Sequence, residues 1–135
     1  MTTLITGGSG FLGRGIMTFK DDEQYVVYSR DEYKQDLCKR KFVNAAYRLG
    51  DVKDLDLLTW TIRRFEVDTI IHTAAIKYIP EAEINVNECI SVNVDGSRNV
   101  AMAALATESV HTVVGISTDK AAQPINVYGA TKMLM

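Results

Sequence analysis

Cysteine, proline, histidine and charge of one sign are all scarce in this chain. Two cysteines in 135 residues, Cys38 and Cys89, have no CxxC spacing, which excludes a disulfide scaffold and a cysteine zinc site. With only His72 and His111 besides, no metal site is expected. Fifteen basic residues against 17 acidic ones give a net charge of −2, so no basic stripe argues for nucleic acid or an anionic membrane surface. The longest basic cluster, Lys39-Arg40-Lys41, reads as a solvated loop or helix end rather than a binding patch. No run of 18 apolar residues is present to span a membrane, and the first residues lack the basic start of a signal peptide. Free thiols suit a reducing compartment, so a cytoplasmic protein is expected. What is present is ordinary globular composition, 47% hydrophobic and 24% charged, and enough chain for one domain over 1–135.

Strand and helix signals alternate five times. Thr2 to Thr6 is a β-branched run ending in Gly7-Gly8-Ser9-Gly10, with a helix expected through about Lys20. Gln24 to Ser29 reads as a strand, Arg30 to about Lys41 as a short helix, and Val43 to Leu49 as a weak strand. Asp51 to Asp54 caps a helix over Leu55 to Phe65, with Leu58, Ile62 and Phe65 on one face. Asp68 to His72 is a buried strand, Ile84 to about Glu108 a long helical stretch, and His111 to Ser117 a fifth strand. A last helix is expected over Asn126 to Met135. The alternation, with apolar runs that are continuous rather than every second residue, predicts an α/β fold. It is a Rossmann-type parallel sheet of about five strands with helices on both faces.

Two sets of residues carry chemistry. The first is Gly7-x-x-Gly10-x-x-Gly13 between a strand and a helix. Gly7 turns the chain sharply, Gly10 leaves room for a pyrophosphate, and Gly13 lets helix and strand lie close. The free N–H groups of the helix start then face the phosphates. No lysine follows in P-loop spacing, so nucleotide triphosphate hydrolysis is not supported. At the end of the second strand a carboxylate would accept from the 2′-hydroxyl of NAD, whereas a basic residue would meet the 2′-phosphate of NADP. Ser29 and Arg30 favour NADP, and Asp31 leaves NAD open. Asp51 is expected near the adenine amino group, or as a plain helix cap. The second set is Tyr128 and Lys132, one helical turn apart, where an ammonium lowers the phenol pKa toward that of a general base. Thr118, Asp119 and Lys120 follow the fifth strand, at the sheet edge where ligands sit in open α/β folds.

These stretches carry a resemblance. GGSGFLG (Gly7 to Gly13), YSRDE, GDVKD, IHTAAIKYIPEAE, NVDGSRNV and STDKAAQPINVYGATK (Ser117 to Lys132) resemble, in order, the N-terminal part of an extended short-chain dehydrogenase/reductase. More narrowly, the chain resembles the inverting UDP-N-acetylglucosamine 4,6-dehydratases of polysaccharide biosynthesis. The resemblance implies an NADP-dependent nucleotide-sugar dehydratase, with Thr118, Asp119, Lys120, Tyr128 and Lys132 catalytic. It implies cofactor contacts from Gly7, Ser9, Gly10, Phe11, Leu12, Gly13, Ser29, Arg30, Asp51, Val52, Ala74, Ala75, Lys77, Asn93, Tyr128 and Lys132. Asn93 is further expected to support the strand ends from the long helix, and Lys77 to lie near the substrate. A nucleotide-binding module without its own turnover, and an epimerase or reductase, are the alternatives. Proteins of this family run to more than twice this length. The chain is therefore expected to be a fragment or a compact form, truncated before the substrate-binding region. Self-association through the long helix and the Tyr128 helix is implied as well, giving a homo-oligomer.

Overall fold

The computed structural model describes residues 1–20 and 23–135. Its five strands are β1 (Thr2–Thr6), β2 (Gln24–Ser29), β3 (Ala46–Leu49), β4 (Thr69–His72) and β5 (Thr112–Gly115). All neighbours are parallel and the order is β3-β2-β1-β4-β5, so the first strand lies at the centre. The helices are α1 (Phe11–Phe19), α2 (Glu32–Lys41), α3 (Leu55–Arg64), α4 (Ile79–Ile84), α5 (Val86–Ile90), α6 (Gly96–Leu105) and α7 (Val127–Leu134).

Two apolar layers explain why this order folds. On one face Leu4, Val26, Tyr28 and Ile70 of the sheet pack with Leu58 and Ile62 of α3 and Val100 and Ala103 of α6. On the other, Ile5, Tyr25 and Val27 pack with Met17 of α1 and Cys38 of α2. Successive residues of β1 and β2 point to opposite layers, and both layers are dry. That is why these strands read as unbroken apolar runs. Each such side chain contributes about 1.5–3 kcal/mol by leaving water.

Element ends depart from expectation where a cap or turn intervenes. Asp31 and Asp54 are N-caps, accepting from Lys34 N–H and Leu57 N–H at 2.9 Å each, so α2 starts at Glu32 and Asp51 is not the cap of α3. Residues Val43 to Ala45 form a turn, not the start of β3, because α2 runs to Lys41 and closes on Phe42. The long helix begins earlier than expected, at Ile79, since Pro80 in a first turn sacrifices no helical N–H bond. It breaks at Asn85 and contains a π-helical turn over Ser91–Asp95, where Gly96 N–H reaches back to Ser91 C=O.

Candidate functional site

The carboxyl ends of β1, β2 and β4 open onto one cleft of about 820 Å³. Its floor is the glycine turn. Gly7 adopts φ +68°, the left-handed region that glycine alone enters without strain, and its N–H donates to Tyr28 C=O at 2.7 Å. A Cβ on Gly13 would press into the Gly8 carbonyl, so α1 lies as close to β1 as a glycine permits. Gly13 thus packs behind the turn, while Gly7, Ser9, Gly10, Phe11 and Leu12 line the cleft. Ser9 Oγ donates to Ser29 Oγ at 2.9 Å, which also accepts from the buried Gln35 amide at 3.0 Å. The glycine turn is thereby locked to the end of β2.

Beyond Ser29 the wall carries Arg30, half exposed, with Nη1 3.4 Å from Asp51 Oδ2. The Asp31 carboxylate is engaged by Lys34, through the backbone N–H and the ammonium at 2.9 Å. Those donors hold its carboxyl below the usual carboxylate range. Arg14 and Lys34 line the cleft as well. The sequence reading missed Arg14 and Lys34 because isolated surface cations look like solvated faces. Val52 lines the floor and packs against Gly96, where a Cβ would come 2.6 Å from a Val52 methyl.

The opposite end is built by Ala74, Ala75, Lys77, Tyr128 and Lys132. Tyr128 is half-buried near the start of α7, where Asn126 Oδ1 caps Gly129 N–H at 2.7 Å. Lys132 is buried. Its ammonium donates to Ile116 C=O at 2.8 Å, and burial lowers its pKa. Asn93 is expected at the cofactor, but the structure places it fully buried behind the wall. Its side chain accepts from Ile76 N–H at 2.8 Å and donates to Ile76 C=O and Thr131 Oγ1, both at 3.0 Å. One amide from the π-helical turn therefore clamps the loop after β4 to the helix that carries Tyr128 and Lys132.

Behind that clamp lies His72, buried. Thr6 Oγ1 is 2.6 Å from Nδ1 and Ser97 Oγ 2.9 Å from Nε2, while Ser97 donates to Asn93 C=O at 2.5 Å. Because Ser97 spends its proton on that carbonyl, His72 donates from Nε2 and accepts from Thr6. Desolvation, with Lys132 nearby, lowers its pKa to about 4, so it is neutral.

Thr118, Asp119 and Lys120 are not brought into the cleft wall, which ends at Ser117. They form a single exposed turn (Asp119–Ala121) in which Thr118 and Lys120 both donate to Asp119 Oδ1, at 2.9 and 3.2 Å. Those two donors lower the Asp119 pKa. The turn packs on α7 through Gly129, where any Cβ would meet the Lys120 carbonyl.

Sheet order, glycine turn and cleft together define a Rossmann fold of the extended short-chain dehydrogenase/reductase class. The structure of Pen from Bacillus thuringiensis superposes with a TM-score of 0.92 at 34% identity, over 98% of this chain and 42% of that one. WbmG from Bordetella bronchiseptica, solved in complex with NAD, superposes at 0.83 with 25% identity, over 99% and 47%. The chain belongs to the polysaccharide biosynthesis protein family, whose pattern it matches over residues 3–135. It is 40% identical over 136 residues to an inverting UDP-N-acetylglucosamine 4,6-dehydratase of Campylobacter jejuni, covering 96% of this chain and 40% of that protein. It is 35% identical to a UDP-glucose 4-epimerase of Rickettsia bellii, over 99% and 41%. The chain thus spans about two fifths of the length of the curated relatives it matches.

Proposed function

We propose that this chain is the NADP-binding and proton-transferring part of a nucleotide-sugar 4,6-dehydratase. One observation carries the reading. A single cleft joins a glycine turn, Arg30 at the end of β2, and the Tyr128–Lys132 pair on α7. The donor set fits a dinucleotide. The positive φ at Gly7 and the absent Cβ at Gly10 leave backbone N–H groups at the start of α1 for a pyrophosphate, and Gly13 lets α1 pack against the turn. Arg30, with Arg14 and Lys34, suits a 2′-phosphate, and Asp31 is spent as the cap of α2. The small side chains of Ala74 and Ala75 leave room for a flat ring.

When bound, the nicotinamide supplies hydride transfer from and back to the sugar. Tyr128 takes the proton of the sugar 4-hydroxyl, with the Lys132 ammonium one helical turn further along the same face of α7. Thr118, next in the chain to the cleft-lining Ser117, hydrogen-bonds the reacting hydroxyl in this reading. To serve the loss of water across C5 and C6, one removing the C5 proton and the other giving a proton to the departing 6-hydroxyl, Asp119 and Lys120 must meet the sugar where it projects beyond the cleft wall at Ser117.

A second reading, a nucleotide-binding module without independent turnover, is favoured by the exposed position of Thr118–Lys120 outside the cleft wall. Assays with NADPH and UDP-N-acetylglucosamine separate the two. NADPH is expected to bind with micromolar-order affinity, about −8 kcal/mol; no binding at that level defeats the cofactor reading. Binding without a 4-keto product selects the module. Tyr128→Phe is expected to abolish turnover and retain NADPH affinity, and a large loss of affinity in that variant counts against Tyr128 as the base.

A further inference from the structure

Four charged side chains close a ring at the rim of the cleft. Arg30 Nη1 lies 3.4 Å from Asp51 Oδ2 and 3.3 Å from Glu88 Oε1. Lys53 Nζ donates to both Glu88 oxygens, at 2.8 and 3.0 Å, and lies 3.8 Å from Asp51 Oδ2. The members come from the end of β2, the loop between β3 and α3, and α5. Arg30 and Asp51 line the cleft; Glu88 and Lys53 do not. Glu88 thus stands outside the cleft and holds its principal cation from behind.

We propose that Glu88 is a positioning residue that restrains Arg30 and so sets how strongly the cleft prefers a dinucleotide with a 2′-phosphate over one without. The proposal rests on the reading of Arg30 as the 2′-phosphate contact. Two carboxylates already compensate the Arg30 guanidinium, so an incoming phosphate competes with Glu88 for it. The ring can open at that one contact at little cost. Arg30 is half exposed, and Glu88 keeps both Lys53 bonds when Arg30 leaves. Asp51 keeps the Lys53 N–H, donated to Oδ1 at 2.9 Å. A 2′-hydroxyl carries no charge and gains little by opening it. Glu88 therefore acts on the phosphorylated nucleotide alone.

The test measures dissociation constants for NADPH and NADH by calorimetry with the unaltered chain, Glu88→Gln, Arg30→Ala and the double variant. Glu88→Gln is expected to tighten NADPH by about two- to fivefold, the scale of one exposed ion pair, and to leave NADH unchanged. In the Arg30→Ala background the same substitution should do nothing, because the restrained group is gone. A merely structural role would move both nucleotides together. If Glu88→Gln weakens NADPH or leaves it unchanged while Arg30→Ala still removes the NADPH preference, the restraint is overturned and the cofactor reading stands. If Arg30→Ala leaves the preference unaltered, or neither nucleotide binds, the cofactor reading falls and the restraint falls with it.

Discussion

β2 and β5 carry the same Val-Val core and sit in opposite surroundings. Five of the six residues of β2 are buried, because β1 and β3 flank it and an apolar layer covers each face. All four residues of β5 are exposed, Val113 and Val114 at 45% and 43%. β5 pairs with β4 alone, and neither apolar layer includes its residues. A continuous apolar run in a parallel sheet is a signal for cover on both faces, and of these two strands β2 alone receives it. The glycine turn and Arg30 stand on the covered strands β1 and β2. The Thr118–Lys120 turn and α7 follow the uncovered one. The cofactor end of the cleft is therefore held by a dry core, whereas the reacting end is held by polar clamps such as Asn93 and Lys132.

The largest expected effect tests that contrast directly. Leu4 is fully buried in β1, and Leu4→Ala should destabilise the fold by about 2–5 kcal/mol in urea unfolding. Val114→Ala on β5 should change it by no more than about 0.5 kcal/mol, as at other exposed sites. Equal costs would show that the two halves of the sheet are equally well packed and would break the comparison.

A smaller effect probes the polar clamp. His72 in the folded chain has its pKa lowered to about 4 from an ordinary 6.5, with burial as the main cause. Between those values the unfolded chain binds more protons than the folded one. The His72 contribution is therefore fully present above about pH 6.5 and is lost as pH falls toward 4. The slope from this one group is roughly 1 kcal/mol per pH unit. His72→Asn cannot titrate, so its stability deficit at pH 7 should shrink when both chains are compared at pH 4.5. A constant deficit across that range would mean that folding leaves the His72 pKa unshifted, and the lowering by burial would be overturned.

The covered half is also the half most legible in the sequence. Glycine spacing, β-branched runs and Arg30 are local signals, and Gly7, Ser29 and Arg30 lie on the cleft that the sequence anticipates. What the sequence hid is non-local. The π-helical turn over Ser91–Asp95 shifts the helical register by one residue, which spacing alone absorbs without trace. Asn93 looks like one polar residue in a helix until Ile76 and Thr131 arrive from 17 and 38 residues away. Glu88 meets Arg30 across 58 residues. Thr118–Lys120 reads as part of the reacting cluster by sequence proximity to the sheet edge, yet its packing on Gly129 turns it outward.

The smallest effect on stability is expected at β5, and it bears on what covers that strand. An unpaired edge with exposed valines offers free N–H and C=O groups and apolar side chains to another chain. Leu105, Ile125 and Leu134 add exposed apolar surface from the segments around it. We therefore expect self-association that rises with protein concentration in sedimentation velocity. Val114→Lys should lower that association while changing the unfolding free energy by no more than about 0.5 kcal/mol, because a charge on an edge strand opposes pairing and costs little where water already reaches it. If the unaltered chain stays monomeric at every concentration, the edge is stable uncovered. If Val114→Lys instead unfolds the chain, Val114 is buried in solution, and the contrast between β2 and β5 disappears.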